Sequence, residues 1–244
     1  MSPFLSDVFN NHGFTLESGE FVEYHSETSR EQCEFIQGII NKYSLSSTIE
    51  IGFAYGLSAL AIMEAVSGKG IRHVVIDKFE ISDWKGYGLA LVEKAGYLSQ
   101  LEFHEDYCYN VLPSLLKDGR KFDFAYIDST KQFDWLLVNF FYLDKMLSIG
   151  GIIVFDDTDF PGIRKLLRLI AGYPSYRIIA KYPERLAKSR KQKLMSLASL
   201  IPFSSKLLKP SLTNVDDRLG INARAVAIQK ISDDNRNWNW FHDF

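Results

Sequence analysis

Acidic residues recur where the apolar runs of this chain end, and their types and spacing are the first sign of chemistry. In Thr48-Ile49-Glu50-Ile51-Gly52-Phe53-Ala54-Tyr55-Gly56-Leu57-Ser58, a β-branched run carries Glu50 near its end, two glycines follow, and apolar residues continue to Val66. That pattern predicts a strand, a tight turn and a helix. Gly52 lets the backbone turn sharply and Gly56 lets a ligand lie against the main chain, because neither carries a Cβ. Glu50 can accept hydrogen bonds from a ligand amine or hydroxyl. Asp77, Asp128 and the pair Asp156-Asp157 close three further runs. Three carboxylates at 128, 156 and 157 would repel one another unless protons or a cation separated them. Oxygen-only ligands favour a hard ion, Mg²⁺, Mn²⁺ or Ca²⁺, over zinc. Such an ion could hold a substrate hydroxyl and lower its pKa.

The elements that must position these residues alternate. Residues 1–20 are weakly patterned and read as an irregular arm. Ser29, with Glu31 and Gln32 in the first turn, opens a helix in which Phe35, Ile36, Ile39 and Ile40 recur at helical spacing through Tyr43. The polar stretch before it, 23–28, holds His25, read as a solvated loop histidine. Strands are expected at 48–51, 71–76, 101–104, 121–127, 152–155, 176–181 and 224–230. Helices are expected at 57–66, at 89–95 with Gly96 as its cap, up to Leu116, at 133–147 and from Pro161 through 162–171. Ser148-Ile149-Gly150-Gly151 reads as a turn. Strands alternating with helices imply a parallel sheet covered on both faces. Ligands on such sheets bind outside the carboxyl ends of the strands, where the strand order reverses.

Glu-x-Gly-x-x-x-Gly after the first sheet strand resembles motif I of class I S-adenosylmethionine-dependent methyltransferases. A dinucleotide fingerprint read from Gly52 would put Ala54 and Leu57 on its second and third glycines, a worse match. The resemblance implies a Rossmann-like α/β fold with seven strands in the order 3-2-1-4-5-7-6, the last strand antiparallel. It implies that Glu50 and the turn residues Gly52, Ala54, Tyr55, Gly56 and Ser58 hold the methionine part of the cofactor. Asp77, 25 residues beyond Gly52, would take the ribose hydroxyls. Asp106 and Tyr107 would flank the adenine, though either could equally begin the next helix, and Asp128 would complete the cofactor site.

Asp-x-x-Lys after the fourth strand and Asp-Asp-x-x-x-Pro-Gly after the fifth resemble catechol-type O-methyltransferases, in which an Asp and an Asp-Asn pair bind Mg²⁺ and a Lys is the base. On that pattern Asp128, Asp156 and Asp157 would be metal ligands and Lys131 the catalytic base beside Asp128. The chain is also similar to a bacterial class I family reading Asp-Pro-Phe-Gln, Asp-Gly-x-His-x-Phe-Asp and Asp-Asp-x-x-x-Pro. Here Lys78 replaces the Pro, Glu80 the Gln, Ser129 the Gly and Lys131 the His. Lys131 can serve as a base only if its pKa is lowered.

Composition bounds the rest. A chain of 244 residues with 46% hydrophobic content can bury one good core, read as one domain. Its parts are an arm and helix (1–45), a core (46–182 and 221–231), an insert (183–220) and an aromatic tail (232–244). Cys33 and Cys108 are too few for a disulfide framework and fit a reducing, cytoplasmic compartment. The start lacks a leader pattern, and no apolar run reaches the roughly 18 residues of a membrane span. A net charge of −2 gives no general attraction to nucleic acid. Within 185–215, however, stand seven Lys or Arg and no acid. A solvated insert, a substrate lid, an oligomer contact and a helix on anionic lipid are all open readings of it. The tail, with four aromatics in its last seven residues, suggests docking on the domain or a partner.

The function expected is methyl transfer from S-adenosylmethionine to a hydroxyl of a small molecule or sugar, assisted by a divalent metal. Metal-independent O- or N-transfer and a non-catalytic binding module are the alternatives.

Overall fold

The computed structural model describes residues 1–25, 28–183 and 216–244. The basic segment 185–215 and Ser26-Glu27 of the polar stretch lie outside the described residues. Seven strands form the main sheet: β3 (Thr48–Ile51), β4 (His73–Ile76), β5 (Leu101–His104), β6 (Phe122–Ile127), β7 (Leu147–Phe155), β8 (Tyr176–Tyr182) and β9 (Ala225–Lys230). Their order is β5-β4-β3-β6-β7-β9-β8, parallel except for β9, which runs antiparallel to both neighbours. This is the expected order, and the reversal falls between β3 and β6, where chain connections leave in opposite directions.

Side-chain alternation assigns the two faces. Ile49, Ile51, Val74 and Ile76 point into a core shared with α5 (Cys108–Lys117), α6 (Phe133–Met146) and α7 (Pro161–Ala171). On the opposite face, Phe124, Tyr126, Ile152 and Val154 pack against α2 (Arg30–Lys42) and α3 (Leu57–Val66). Phe53, Met63, Val75 and Val92 bury the contact of α3 with α4 (Tyr87–Lys94). α3 has apolar residues all round because it lies between the sheet and a further layer.

That further layer corrects the expectation of an irregular arm. Residues Pro3–Asn11 form α1, and Gly13–Thr15 (β1) pairs antiparallel with Phe21–Glu23 (β2). Ser2 is the N-cap, its hydroxyl accepting from the Leu5 N–H at 3.1 Å, and Pro3 fills the first helical position. Leu5, Val8, Phe9, Phe14 and Val22 are buried against Leu57, Leu60 and Leu91. The Ser-Pro pair was the local signal for this helix. A second correction concerns 148–151, which belong to β7 rather than to a turn. The pairing with β6 shifts register between Phe122 and Phe124, and the glycines absorb the irregularity.

The tail folds back on the domain. The Arg236 guanidinium lies 3.4 Å from the centre of the Tyr173 ring, Trp240 meets the same ring edge-on, and His242 Nε2 is 2.9 Å from the Leu169 carbonyl. A short helix, α8 (Asp216–Leu219), precedes β9; its Asp216 pairs with Arg164 and Arg168 of α7.

One glycine fixes how closely the sheet's two halves meet. Gly52 has φ +98°, and a Cβ there would lie 1.9 Å from the carbonyl oxygen of Asp128. Gly52→Ala is therefore expected to cost about 3 kcal/mol. Thermal unfolding should show this as a fall in Tm of roughly 6–12 °C; an unchanged Tm would contradict the close approach.

Candidate active site

The carboxyl ends of β3, β4 and β6 open into a cavity of about 360 Å³. Its wall includes the turn 50–58, Ile76 to Phe79, Asp106 to Cys108, Asp128 to Lys131 and Asp156-Asp157. Every residue expected to bind cofactor or metal is thus brought to one cleft. Thr28, at the end of the polar stretch 23–28 that in related methyltransferases closes over cofactor or substrate, lines it as well, and so do Trp84, Trp135 and Arg224, which were not anticipated.

The glycine turn is built for close backbone packing. Ala54 sits at φ +47°, a conformation unusual for a residue with a Cβ and characteristic of functional sites. Gly56, at φ +73°, would place a Cβ 3.1 Å from Gly88. Its bareness therefore accommodates α4, and not only a ligand as the sequence suggested. Tyr55 lies under an aromatic cover: its hydroxyl is 2.8 Å from His25 Nδ1, and Trp84 meets its ring edge-on at 5.3 Å. His25 is hydrogen-bonded here rather than simply solvated.

Each acid of the cleft has its own means of tolerating its place. Glu50 has no exposed surface; the Ser58 hydroxyl donates to one oxygen, and His73 Nε2 lies 3.0 Å from the other. Burial raises its pKa, opposed by His73 and Ser58. Asp77 accepts from the backbone N–H groups of Phe53 at 2.8 Å and Phe79 at 2.7 Å, so it braces the turn while lining the cavity. Asp106 is held below the usual carboxylate range by the Asn110 amide and the Tyr107 N–H. Tyr107 is the N-cap residue of α5, and its ring packs with Phe79, Tyr109 and Trp135. These rings give the rim a flat apolar surface of the kind a purine stacks on.

The acids at 128, 156 and 157 depart from the expected metal centre. Lys131 Nζ donates to Asp128 at 2.6 Å and lies 3.0 Å from Asp157, placing an ammonium between them. Asp156 turns inward and accepts from Gln32 Nε2 at 2.6 Å, the Tyr126 hydroxyl at 2.9 Å and the Asp157 N–H at 2.8 Å. Among the described residues no three His, Cys, Asp or Glu side chains converge as a metal cage. The donor set present does not fit a divalent ion, because one carboxylate is spent on neutral donors and the others on Lys131. Burial, then Asp128 and Asp157, push Asp156 up to about 7.

Lys131 likewise departs from its expected role as base. Burial favours its neutral form, but Asp128 and Asp157 outweigh burial, and its pKa is raised. An ammonium so held donates hydrogen bonds; it does not collect protons. Arg224, just ahead of β9, approaches Asp157 at 3.5 Å and adds a second cation to this part of the wall.

Sequence reasoning missed several members for different reasons. The sequence places Gln32 only in the first turn of its helix; it closes a capping box with Ser29, and its amide nitrogen also reaches Asp156. His73 stands on the α3 side of β4, facing Glu50, which only the pairing of β3 with β4 reveals. Glu80, which replaces a Gln of the similar bacterial family, is fully buried beside α4, accepts from the Leu89 N–H at 3.1 Å, and leaves its other oxygen without a partner. Burial pushes it up to about 8, so it is a neutral acid at neutral pH, close in character to the amide it replaces.

Residues 49–158 match a family model described as a methyltransferase domain. Caffeoyl-CoA O-methyltransferase 2 of Petunia hybrida is 30% identical over 137 residues, 54% of this chain and 53% of the relative. Caffeoyl-CoA O-methyltransferase of Stellaria longipes is 36% identical over 116 residues, 46% and 45% of the two chains. This chain spans about half the length of the curated relatives it matches. Among solved structures, the O-methyltransferase TomG of Streptomyces achromogenes in complex with SAM superposes with a TM-score of 0.60 at 20% identity, covering 73% of this chain and 82% of that one. An O-methyltransferase of Bacillus cereus in complex with SAH gives 0.59 at 20% identity, covering 73% and 83%. The fold is the Rossmann-like class I methyltransferase fold that the sequence implied.

Two expectations follow from the electrostatics. The folded state holds Glu80's proton more tightly than the unfolded chain, so its contribution to stability is full below about pH 4.5 and is lost as pH rises through about 8. Glu80→Gln removes that loss. Denaturant titrations should show the variant gaining on wild type with rising pH, by on the order of 1–3 kcal/mol at pH 9; a constant difference would contradict the buried neutral acid. Second, chelator-treated wild type is expected to show no saturable Mg²⁺ binding below about 1 mM in calorimetry, while Lys131→Ala, with two carboxylates left unpaired, binds the ion more tightly. Micromolar Mg²⁺ binding by wild type would contradict the assignment of Lys131 as the resident cation.

Proposed function

We propose that this chain is an S-adenosylmethionine-dependent methyltransferase acting on a hydroxyl of a small molecule, a sugar included. The observation that carries the reading is the single cleft at the strand-order reversal. It joins the Glu50-to-Ser58 turn, Asp77, an aromatic rim, and a group of acids and cations beside them. The methyltransferase-domain match and the O-methyltransferase relatives support the reaction class.

The donor set fits the cofactor. Asp77 offers two acceptor oxygens in one plane, suited to a ribose diol. Tyr107, Phe79 and Trp135 suit the purine, and the Ser129 hydroxyl is buried in the same wall without a partner. When bound, the cofactor supplies an electrophilic methyl on a sulfonium. The chain's work is to orient an acceptor hydroxyl in line with it, exclude water and handle one proton. Lys131, kept protonated by Asp128 and Asp157, donates to the acceptor oxygen and stabilises the negative charge that develops there. Asp156, at about 7, has the proton affinity to receive the hydroxyl proton near neutral pH. The lysine's placement favours transfer without a metal.

Cys33 and Cys108 are buried free thiols, consistent with a cytoplasmic setting. Among the described residues no helix is long and apolar enough to cross a membrane.

Calorimetry with S-adenosylhomocysteine tests the reading. Wild type is expected to bind in the micromolar range, and Asp77→Asn, which gives up one acceptor oxygen, at least about tenfold more weakly. Lys131→Ala should bind the cofactor product normally yet lose methyl transfer in an acceptor screen. Wild type that takes up no S-adenosylhomocysteine would overturn the proposal.

A further inference from the structure

His73 is the one histidine of the five in this chain without exposed surface, and nothing in the reaction as described uses it. An imidazole between a sheet and a helix must satisfy both ring nitrogens. Thr48 Oγ1 lies 2.9 Å from Nδ1, and Glu50 Oε2 lies 3.0 Å from Nε2. The other Glu50 oxygen accepts from the Ser58 hydroxyl. Thr48, His73 and Glu50 are fully buried; of the four, only Glu50 and Ser58 line the cleft.

The direction of these hydrogen bonds follows from what each group can do. An ionised carboxylate only accepts, so Nε2 must carry its proton and Ser58 must spend its single O–H on Glu50. The lone pairs of Ser58 are then what remains for the cleft. A wall of acceptors suits the ammonium of an amino acid. Four elements press groups against Glu50: His73 from β4, Ser58 from α3, Tyr126 and Asp128 from β6 and its end, and Cys33 from α2. Burial and Asp128 favour the protonated acid, whereas His73 and Ser58 favour the carboxylate. Without His73 the acid would gain a proton and become a donor, freeing the Ser58 hydroxyl to turn outward and reversing the wall's polarity.

We propose that His73 is a positioning residue for the amino-acid end of the cofactor, fixing through Glu50 the direction in which Ser58 hydrogen-bonds. The inference rests on the S-adenosylmethionine reading and concerns binding, not the transfer step. His73 touches neither cofactor nor acceptor.

The test compares two ligands by calorimetry at neutral pH. S-adenosylhomocysteine carries the amino-acid end; 5′-methylthioadenosine has the same nucleoside and thioether but lacks it. His73→Phe is expected to weaken S-adenosylhomocysteine about tenfold or more and to leave methylthioadenosine unchanged. His73→Gln, whose amide keeps an N–H toward Glu50, should restore most of the loss. Thr48→Val, a milder change that removes the hydroxyl holding Nδ1 and so loosens the ring's hold on Glu50, should show a selective loss of about two- to threefold, which keeps the test open if the Phe variant fails to fold. Equal weakening of both ligands, or no weakening of either, would overturn the proposal while leaving the cofactor reading in place. Wild type that binds neither ligand would overturn both.

Discussion

The site depends on a contact between backbones. At the point where the strand order reverses, Gly52 meets the Asp128 carbonyl so closely that no Cβ fits between them. The same glycine donates its N–H to the Ile76 carbonyl at 3.0 Å, and Asp128 donates its own to Ile51 at 3.0 Å. Three strand ends are thereby locked together, and the turn that follows β3 has one path open to it. Asp77 holds that path through the Phe53 N–H, and Gly88 lets α4 close over it, since a Cβ at Gly88 would lie 2.6 Å from the Ala54 carbonyl. Side chains that differ in sequence position by more than a hundred residues reach one cleft because these main-chain contacts leave no slack.

A cleft lined by six acids would be unstable if all of them carried free charge. The chain resolves this acid by acid. Glu50 is compensated by His73 and Ser58, Asp77 and Asp106 by backbone N–H groups, and Asp128 and Asp157 by one shared lysine. Asp156 is surrounded by the donors Gln32, Tyr126 and a backbone N–H, and burial with its acidic neighbours pushes its pKa up to about 7. The outcome is a wall whose donors and acceptors are fixed before any ligand arrives, which is the condition for orienting a small acceptor.

The sheet was legible because parallel strands buried on both faces are continuous apolar runs, and those that end β4, β6 and β7 run into acids. The strand order and the antiparallel β9 came from resemblance to a known fold, not from local pattern. α1 is hard to see in the sequence because it is short, with only Leu5, Val8 and Phe9 marking its buried face. The run of β7 through Gly150 and Gly151 is hidden in the sequence because a glycine pair reads as a turn whether it ends a strand or bends one. In the site, types and positions were legible but partners were not. Sequence placed Asp128, Asp156 and Asp157 together and expected an ion among them. It could not say that Lys131, three residues on, would fill that place, nor that Gln32 would turn Asp156 inward. His73 was invisible for the same reason: its role exists only once β4 is in register with β3.

The most direct test of this account is a crystal structure of the protein grown or soaked with S-adenosylhomocysteine. The account predicts the ribose hydroxyls on Asp77, the purine against Tyr107 and Trp135, the ammonium beside Ser58, and the sulfur directed toward Lys131, with the ammonium of Lys131 still between Asp128 and Asp157. A ligand bound elsewhere, or an empty cleft at saturating concentration, would contradict the central claim that this cleft is a methyl-donor site.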